Sequence, residues 1–324
     1  MKLSVVATLY QSAPHVREFC DRACLAASAV TDDFELILVN DGSPDDSLER
    51  ALRYAEDCPA LKIVDLSRNF GHHRAMMAGL EHSSGDLVFL IDSDLEEEPE
   101  WLAPFSLELQ QQGSDVVYGV QQQRRGNWFD RLSGRVYYLL LRAVSGLPIA
   151  HDHTTARLMT RRYVDALTSF REREIDLTGL WVITGFQQTP YPVVKHPSNQ
   201  STYGFFRKVG FAVDSLVSFS SFPLIAIFYF GLTISTVAAL FTGYLVVNRL
   251  FLDTPMDGWT SVMASIWLLG GLVISFVGVV GLYLAKVFSE VKQRPATIVR
   301  GIYSSGATKT AVPGKRKVPT PSAY

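Results

Sequence analysis

The chain has 324 residues and 30 basic against 32 acidic side chains, a formal net charge of −2. With 48 % hydrophobic and 19 % charged residues it is not a disordered chain, which needs low hydrophobicity and high charge. Three Cys exclude a disulfide framework, and the length allows about two domains of roughly 150 residues.

The first 120 residues alternate strand and helix patterns. LSVVATL (3–9) is an apolar, β-branched run of strand length, too short for the core of a signal peptide. Residues 15–30 have helical spacing. FELILVND (34–41) is a second strand and ends in turn residues. Ser43-Pro44 predicts a helix start, with Ser as N-cap and Pro at the first helical position, ahead of DDSLERALRYAED. LKIVDLS (61–67), a helix over 73–83, DLVFLIDSD (86–94), the helix EPEWLAPFSLELQQQ and SDVVYGV (114–120) follow. This alternation implies an α/β fold with a mainly parallel sheet covered on both faces. Ligands of such sheets bind beyond the carboxyl ends of the strands.

Two of these strands end in Asp, at Asn40-Asp41-Gly42-Ser43 and at Asp92-Ser93-Asp94, so both sets belong on one rim. Acids closing an apolar strand are costly unless a cation is bound. Mg2+ or Mn2+ suits a few carboxylates together with a ligand's phosphates. Glu96 to Glu100 continue the run and read as the acidic first turn of the next helix, with Glu97 and Glu98 given no other role. His72 and His73 follow Gly71 and either line the ligand pocket or belong to a plain loop. His151 and His153 read as surface residues, Trp181 as core, and Lys195-His196 follow a strand-like YPVV and can meet phosphates or headgroups.

The later chain changes character. FDRLSGRVYYLLLRAVSGLPI (129–149) and STYGFFRKVGFAVDSL (201–216) are apolar with interspersed Arg or Lys and read as interfacial segments. No charge occurs over the 34 residues 215–248 or the 28 residues 258–285, and about 20 apolar residues cross a bilayer. Arg207 and Lys208 precede the first run, and Lys286, Lys292 and Arg294 follow the second. The Lys/Arg excess therefore predicts cytoplasmic termini and an outer loop at 249–257. Cys20, Cys24 and Cys58 are then free thiols in a reducing compartment. From Val291 onward seven basic residues stand with no acid, leaving −9 on residues 1–290. An acidic body argues against nucleic acid as its partner, and the basic tail suits anionic lipid.

Four motifs in order, LILVNDGSPDDS, SRNFGHHRAMMAGLEHSSGD, FLIDSDLEEEPE and TARLMTRRYVDAL, resemble those of glycosyltransferase family 2. The resemblance covers roughly residues 3–215 and is nearest to the polyprenyl-phosphate subgroup. It implies a GT-A fold, a nucleotide-diphosphate sugar donor, a divalent metal and inversion at the sugar carbon. By the same resemblance Asp41 accepts from the nucleotide base, Asp92 sits at the ribose or diphosphate, Asp94 and Glu96 hold Mg2+ or Mn2+, and Arg157 binds phosphates. Thr8, Tyr10, Asn69, His72 and Ser93 complete the donor site. Arg124, Arg125, Arg157 and Lys195 meet the acceptor phosphate. The chain departs from the family at Thr8-Leu9-Tyr10-Gln11-Ser12, where P-x-Y-N-E is usual. It departs again at Thr155-Ala156, where an Asp often precedes the Arg, and at Gln121, where Arg is usual.

The expected layout is therefore a cytoplasmic GT-A catalytic domain over 1–200 and a juxtamembrane amphipathic helix over 201–216. A transmembrane hairpin over 217–290 (spans about 219–247 and 261–285) and a basic, largely disordered tail over 291–324 complete it. The expected reaction moves one sugar to a polyprenyl phosphate at the inner membrane, and the resemblance also implies a homo-oligomer. A lipid monophosphate is already anionic at neutral pH, so Thr155 suffices where a hydroxyl acceptor would need a carboxylate. The alternatives are a polysaccharide-extending transferase, whose QxxRW motif Gln121 to Arg125 match without the Trp, and a non-catalytic nucleotide-binding scaffold.

Overall fold

A computed structural model describes residues 1–121, 153–172, 175–195, 222–252, 258–304 and 307–310. Alternating side chains along the first strand set the layers. In β1 (Leu3–Leu9), Leu3, Val5, Ala7 and Leu9 face one helical layer and Val6 faces the other. α1 (Val16–Ser28), β2 (Phe34–Asn40), α2 (Ser47–Asp57), β3 (Leu61–Leu66), α3 (His72–Glu81) and β4 (Leu87–Leu90) follow. After a 3-10 turn at Pro99–Trp101 come α4 (Leu102–Gln112), β5 (Val116–Gln121), β6 (His153–Thr160), α5 (Arg161–Ser169), α6 (Leu177–Ile183) and β7 (Gln188–Val193). Phe19, Ala51 and Phe105 represent α1, α2 and α4 in the first layer; Met76, Tyr163 and Leu180 represent α3, α5 and α6 in the second.

Among the described residues one sheet has the order β7-β5-β6-β4-β1-β2-β3-β8-β9, where β8 is Val299–Ser304 and β9 is Ala307–Thr310. β4, β1, β2 and β3 are mutually parallel, as are β5 and β7. β6 runs against both of its neighbours, and so does β8. The sheet is therefore mixed rather than mainly parallel in its pairings. Seven strands still point one way, so the carboxyl ends of β1, β2 and β4 share a rim, and the start of the reversed β6 joins them there.

Two expectations change. α2 begins at Ser47 with Asp46 at its N-cap, not at Pro44 behind Ser43. The Asp45 carboxylate accepts from the Ser43 and Ser47 hydroxyls and from the Ala13 and Ser47 amides, which makes 43–46 a polar knot rather than a helical turn. The segment read as a largely disordered tail over 291–324 contains β8, which pairs with the β3 edge and is held there by Arg300 on Asp65. Residues 311–324 lie outside the described residues.

The described helices beyond the sheet form a separate unit of α7 (Phe222–Leu252) and α8 (Trp259–Val291), and Phe230 meets Phe276 edge-on between them. Within α8, Leu269–Val291 is 23 residues long with a mean hydropathy of 2.1, enough to cross a bilayer by length and composition. Among the described residues of α7 the apolar stretch is Leu224–Ile234, which is shorter. The two helices stand where two spans are expected, and one of them meets the length and composition of a span. The segments 129–149 and 201–216 lie outside the described residues.

Gly79 fixes how closely α3 lies on the sheet. A Cβ there would come 2.4 Å from Val6 Cγ1 and 2.9 Å from Val39 Cγ2. Gly79→Ala should lower stability by about 1–3 kcal/mol through overpacking. Adding Val6→Ala should recover part of that loss, read as the midpoint of denaturant unfolding.

Candidate functional site

The rim begins with backbone held by buried acids. Asp41, closing β2, is 2 % exposed, and its carboxylate accepts from the amides of Phe70 (2.7 Å) and Gly71 (3.0 Å). Burial raises its pKa, and the two amides oppose the rise. Gly42 then turns with φ +57°, and a Cβ there would strike the backbone of Arg68 and Asn69 at 2.4 Å. Only glycine permits both the conformation and the contact. Asp41 thus organises the loop that carries exposed Asn69 and leads into His72.

His72 joins two strand ends. Its Nδ1 is 3.1 Å from Thr8 Oγ1 and its Nε2 is 3.1 Å from Asp92 Oδ1. Burial disfavours the charged imidazole, yet the Asp92 contact outweighs it and His72 titrates above its ordinary value. Burial likewise works against Asp92, and His72 keeps it below the usual carboxylate range. Ser93 is buried; its hydroxyl donates to the Thr8 carbonyl at 2.7 Å and ties β4 to β1. Tyr10 is 48 % exposed on the same rim.

Beyond Asp92 the chain folds back through Leu95 at φ +62°, a conformation that L-residues rarely adopt. Asp94 is exposed and accepts from the Glu96 amide at 3.0 Å. Partial desolvation, then the charges of Asp92 and Glu96, raise its pKa. Glu96 and Glu97 face Lys195 Nζ at 3.1 and 3.5 Å. Glu97 is fully buried, accepts from the Thr155 amide of β6 at 3.0 Å, and is pushed up to about 7 by burial and by Asp92. It does not sit in an acidic first helical turn. Lys195, expected at a phosphate, is held by these acids and titrates above the usual lysine range despite burial.

Arg157 sits elsewhere than expected. It is 1 % exposed, its guanidinium donates to the Thr154 and Thr155 carbonyls, and it lies over the Trp181 ring. Burial lowers its pKa to about 9. This makes it a core support for the start of β6 in this arrangement. Trp181 is core, as expected. Arg124 and Arg125 lie outside the described residues.

Divalent ions such as Mg2+ take oxygen ligands. Asp94 offers a carboxylate at the rim, whereas Glu96 is turned to Lys195. Glu97 Oε2 is buried without a hydrogen-bond partner, whereas Asp92 Oδ1 is met by His72 Nε2, so the orphaned oxygen of this rim is that of Glu97. Among the described residues no three His, Cys, Asp or Glu side chains converge as a metal-binding group.

The family model for glycosyl transferase family 2 matches residues 4–168, which contain β1 to β6 and the whole rim apart from Lys195. The chain belongs to glycosyl transferase family 2. A Mycobacterium tuberculosis (strain CDC 1551 / Oshkosh) protein with a provisional glycosyltransferase name is 46 % identical over 324 residues, all of this chain and 94 % of that one. The SfII prophage-derived bactoprenol glucosyl transferase of Shigella flexneri is 28 % identical over 305 residues, 93 % and 98 % of the two chains. The undecaprenyl-phosphate 4-deoxy-4-formamido-L-arabinose transferase of Enterobacter sp. (strain 638) is 28 % identical over 316 residues, 96 % of each. As a family-2 enzyme, the chain carries its acids on the rim where a GT-A-like mixed sheet gathers its strand ends.

Sequence reasoning missed Glu97 and Asp45. Asp45 is held down at about 2: burial raises it, and the Ser43 and Ser47 hydroxyls with the Ala13 and Ser47 amides outweigh that. A depressed carboxyl adds stability above its unfolded value of about 3.9, and that stability disappears as pH falls through about 2. Asp45→Asn should therefore cost about 1–2 kcal/mol at neutral pH. The gap to the unsubstituted protein should narrow on acidification below about pH 4, followed by thermal unfolding in a pH series.

Proposed function

We propose that this enzyme moves a single sugar, with inversion, from a nucleotide-diphosphate sugar to a polyprenyl phosphate at the cytoplasmic membrane face. The observation that carries the acceptor is the extent of the likeness. The Shigella flexneri bactoprenol transferase matches over 93 % of this chain, too much to stop at the sheet and leave out the apolar helices. α7 and α8 are read as two spans, with the Lys/Arg excess keeping both termini on the cytoplasmic side. Gly270, Gly271, Gly278 and Gly281 on α8 have room for a Cβ, which leaves a face open to close approach of another helix, as a homo-oligomer would use.

The chemistry follows from the acceptor. A phosphate oxygen attacks the anomeric carbon, the bond to the donor diphosphate breaks, and one displacement inverts the centre. The nucleophile is already anionic, so no general base is needed, and a neutral Thr155 beside Asp92 is consistent with that. Catalysis is then positioning and charge neutralisation. Asp41 holds the Phe70–Gly71 loop for the nucleoside. His72, whose pKa the Asp92 contact raises against burial, stands between Thr8 and Asp92 and brings positive charge to the diphosphate when protonated. Lys195 is a second cation at the rim, able to exchange Glu96 for a phosphate oxygen. Asp94 would hold Mg2+ or Mn2+, which supplies charge stabilisation to the departing diphosphate.

Membranes containing the protein, given labelled UDP-, GDP- or dTDP-sugars, should transfer label to extractable lipid phosphate from one of the nucleotides. Asp94→Ala should reduce that transfer at least about a hundredfold. Undiminished transfer by the variant, or label appearing only in a water-soluble polymer, would overturn the proposal.

A further inference from the structure

We infer that Arg300, on the strand that follows α8, is a positioning residue for the nucleotide-sugar site, acting through Asp65 and Asn40 on the Asp41–Ser43 turn. The inference rests on reading this rim as the donor site.

The residues stand in one row across the sheet. Leu9 pairs with Asn40, Asn40 with Asp65, and Asp65 with Gly301. Arg300 donates from Nε to Asp65 Oδ2 at 2.7 Å and from Nη2 to Oδ1 at 3.0 Å. This two-point, charge-assisted contact fixes the carboxylate plane as well as its charge. Asp65 is 1 % exposed, and its Oδ1 also accepts from Asn40 Nδ2 at 2.8 Å. Asn40 is 1 % exposed, and its own Oδ1 accepts from the Ser43 amide at 3.2 Å. Both ends of the Asn40 amide are therefore committed, one to the β3 edge and one to the turn.

The turn has little room to move. Gly42 lies backbone against backbone on Arg68 and Asn69, and Asp41 takes the next two amides of the same loop. A shift of Asn40 is passed on to the loop that leads into His72. β8 is fastened at this place a second time, because the Ser67 amide donates to the Ile298 carbonyl at 2.8 Å. Without Arg300, Asp65 would be a buried carboxylate facing one neutral amide, a costly state that is relieved by turning towards water. That turn withdraws the acceptor that holds Asn40. Arg300 itself is half exposed at the sheet edge, so its loss leaves no cavity in the core.

The test uses the full-length protein in phospholipid vesicles, unsubstituted and as Arg300→Met and Arg300→Lys. KM for the nucleotide sugar, KM for the polyprenyl phosphate and kcat are measured, and binding of UDP, GDP and dTDP with Mn2+ is titrated in parallel. Arg300→Met should raise the donor KM and the nucleotide Kd at least about fivefold, with kcat and the lipid KM within roughly twofold. Arg300→Lys, which keeps the charge but not the two-point contact, should fall between. A role confined to fold stability would instead lower the melting temperature and the active fraction, and an unmoved donor KM in both variants overturns the inference. Should Arg300→Met fail to fold, Arg300→Lys decides alone: a donor KM raised about twofold or more supports the inference and an unchanged one defeats it. Weakened nucleotide binding in a protein that glycosylates no lipid phosphate would sink the proposed acceptor and leave this inference standing. Lipid glycosylation with an unmoved donor KM would do the reverse.

Discussion

Asp92, Asp94, Glu96 and Glu97 crowd into six residues where β4 ends, and their mutual repulsion is the constraint to which the rest of the rim answers. Charges in such a place interact through protein as well as water, which strengthens every like-charge contact. The structure relieves the repulsion in three ways. His72 is brought in from the start of α3, and against burial the Asp92 contact raises its pKa. Lys195, nearly a hundred residues further on, is drawn in by Glu96 and Glu97. Glu97, the most deeply buried of the four, titrates near neutrality and so holds its charge only part of the time. What remains is an excess of negative potential centred on Asp94, the most open of the set, and that potential is what a divalent ion or another cationic ligand would meet.

The other acids of the rim have a different task. Asp41, Asp45 and Asp65 turn their oxygens inward, onto loop amides, serine hydroxyls, an asparagine and an arginine. They are structural anions. The site is thus built of two kinds of carboxylate, one spent on holding backbone and the other left in electrostatic tension. Composition and position along a strand do not distinguish them, because Asp41 and Asp92 both close an apolar run.

That explains how far the sequence could be read. Strand and helix identities over the first 120 residues were legible because apolar alternation and turn residues are local, and the rim followed from strand ends. Strand direction is not local. Nothing in the pattern of residues 153–160 or 299–304 says that those strands run backwards. Glu97 looked like one more acid ahead of a helix because its burial depends on Thr155 and Lys195, both far along the chain. The motif marked Arg157 as a phosphate ligand, but its side chain is captured by Trp181, a packing partner no motif announces. β8 was hidden by composition: in a basic, Ser- and Gly-containing stretch, Val299, Gly301 and Tyr303 are a faint alternation, and their partner strand had been made more than two hundred residues earlier.

The place of β8 in the chain sets an order of assembly. A ribosome releases β1 to β7 first, then both apolar helices, and only afterwards the strand that covers the exposed flank of β3. During synthesis that flank stays bare, and Asp65 lacks its guanidinium, until the greasy helices have already left the exit tunnel. Completion of the sheet is therefore deferred until both helices have been made, so the Arg300–Asp65 contact is among the last braces of the rim to form.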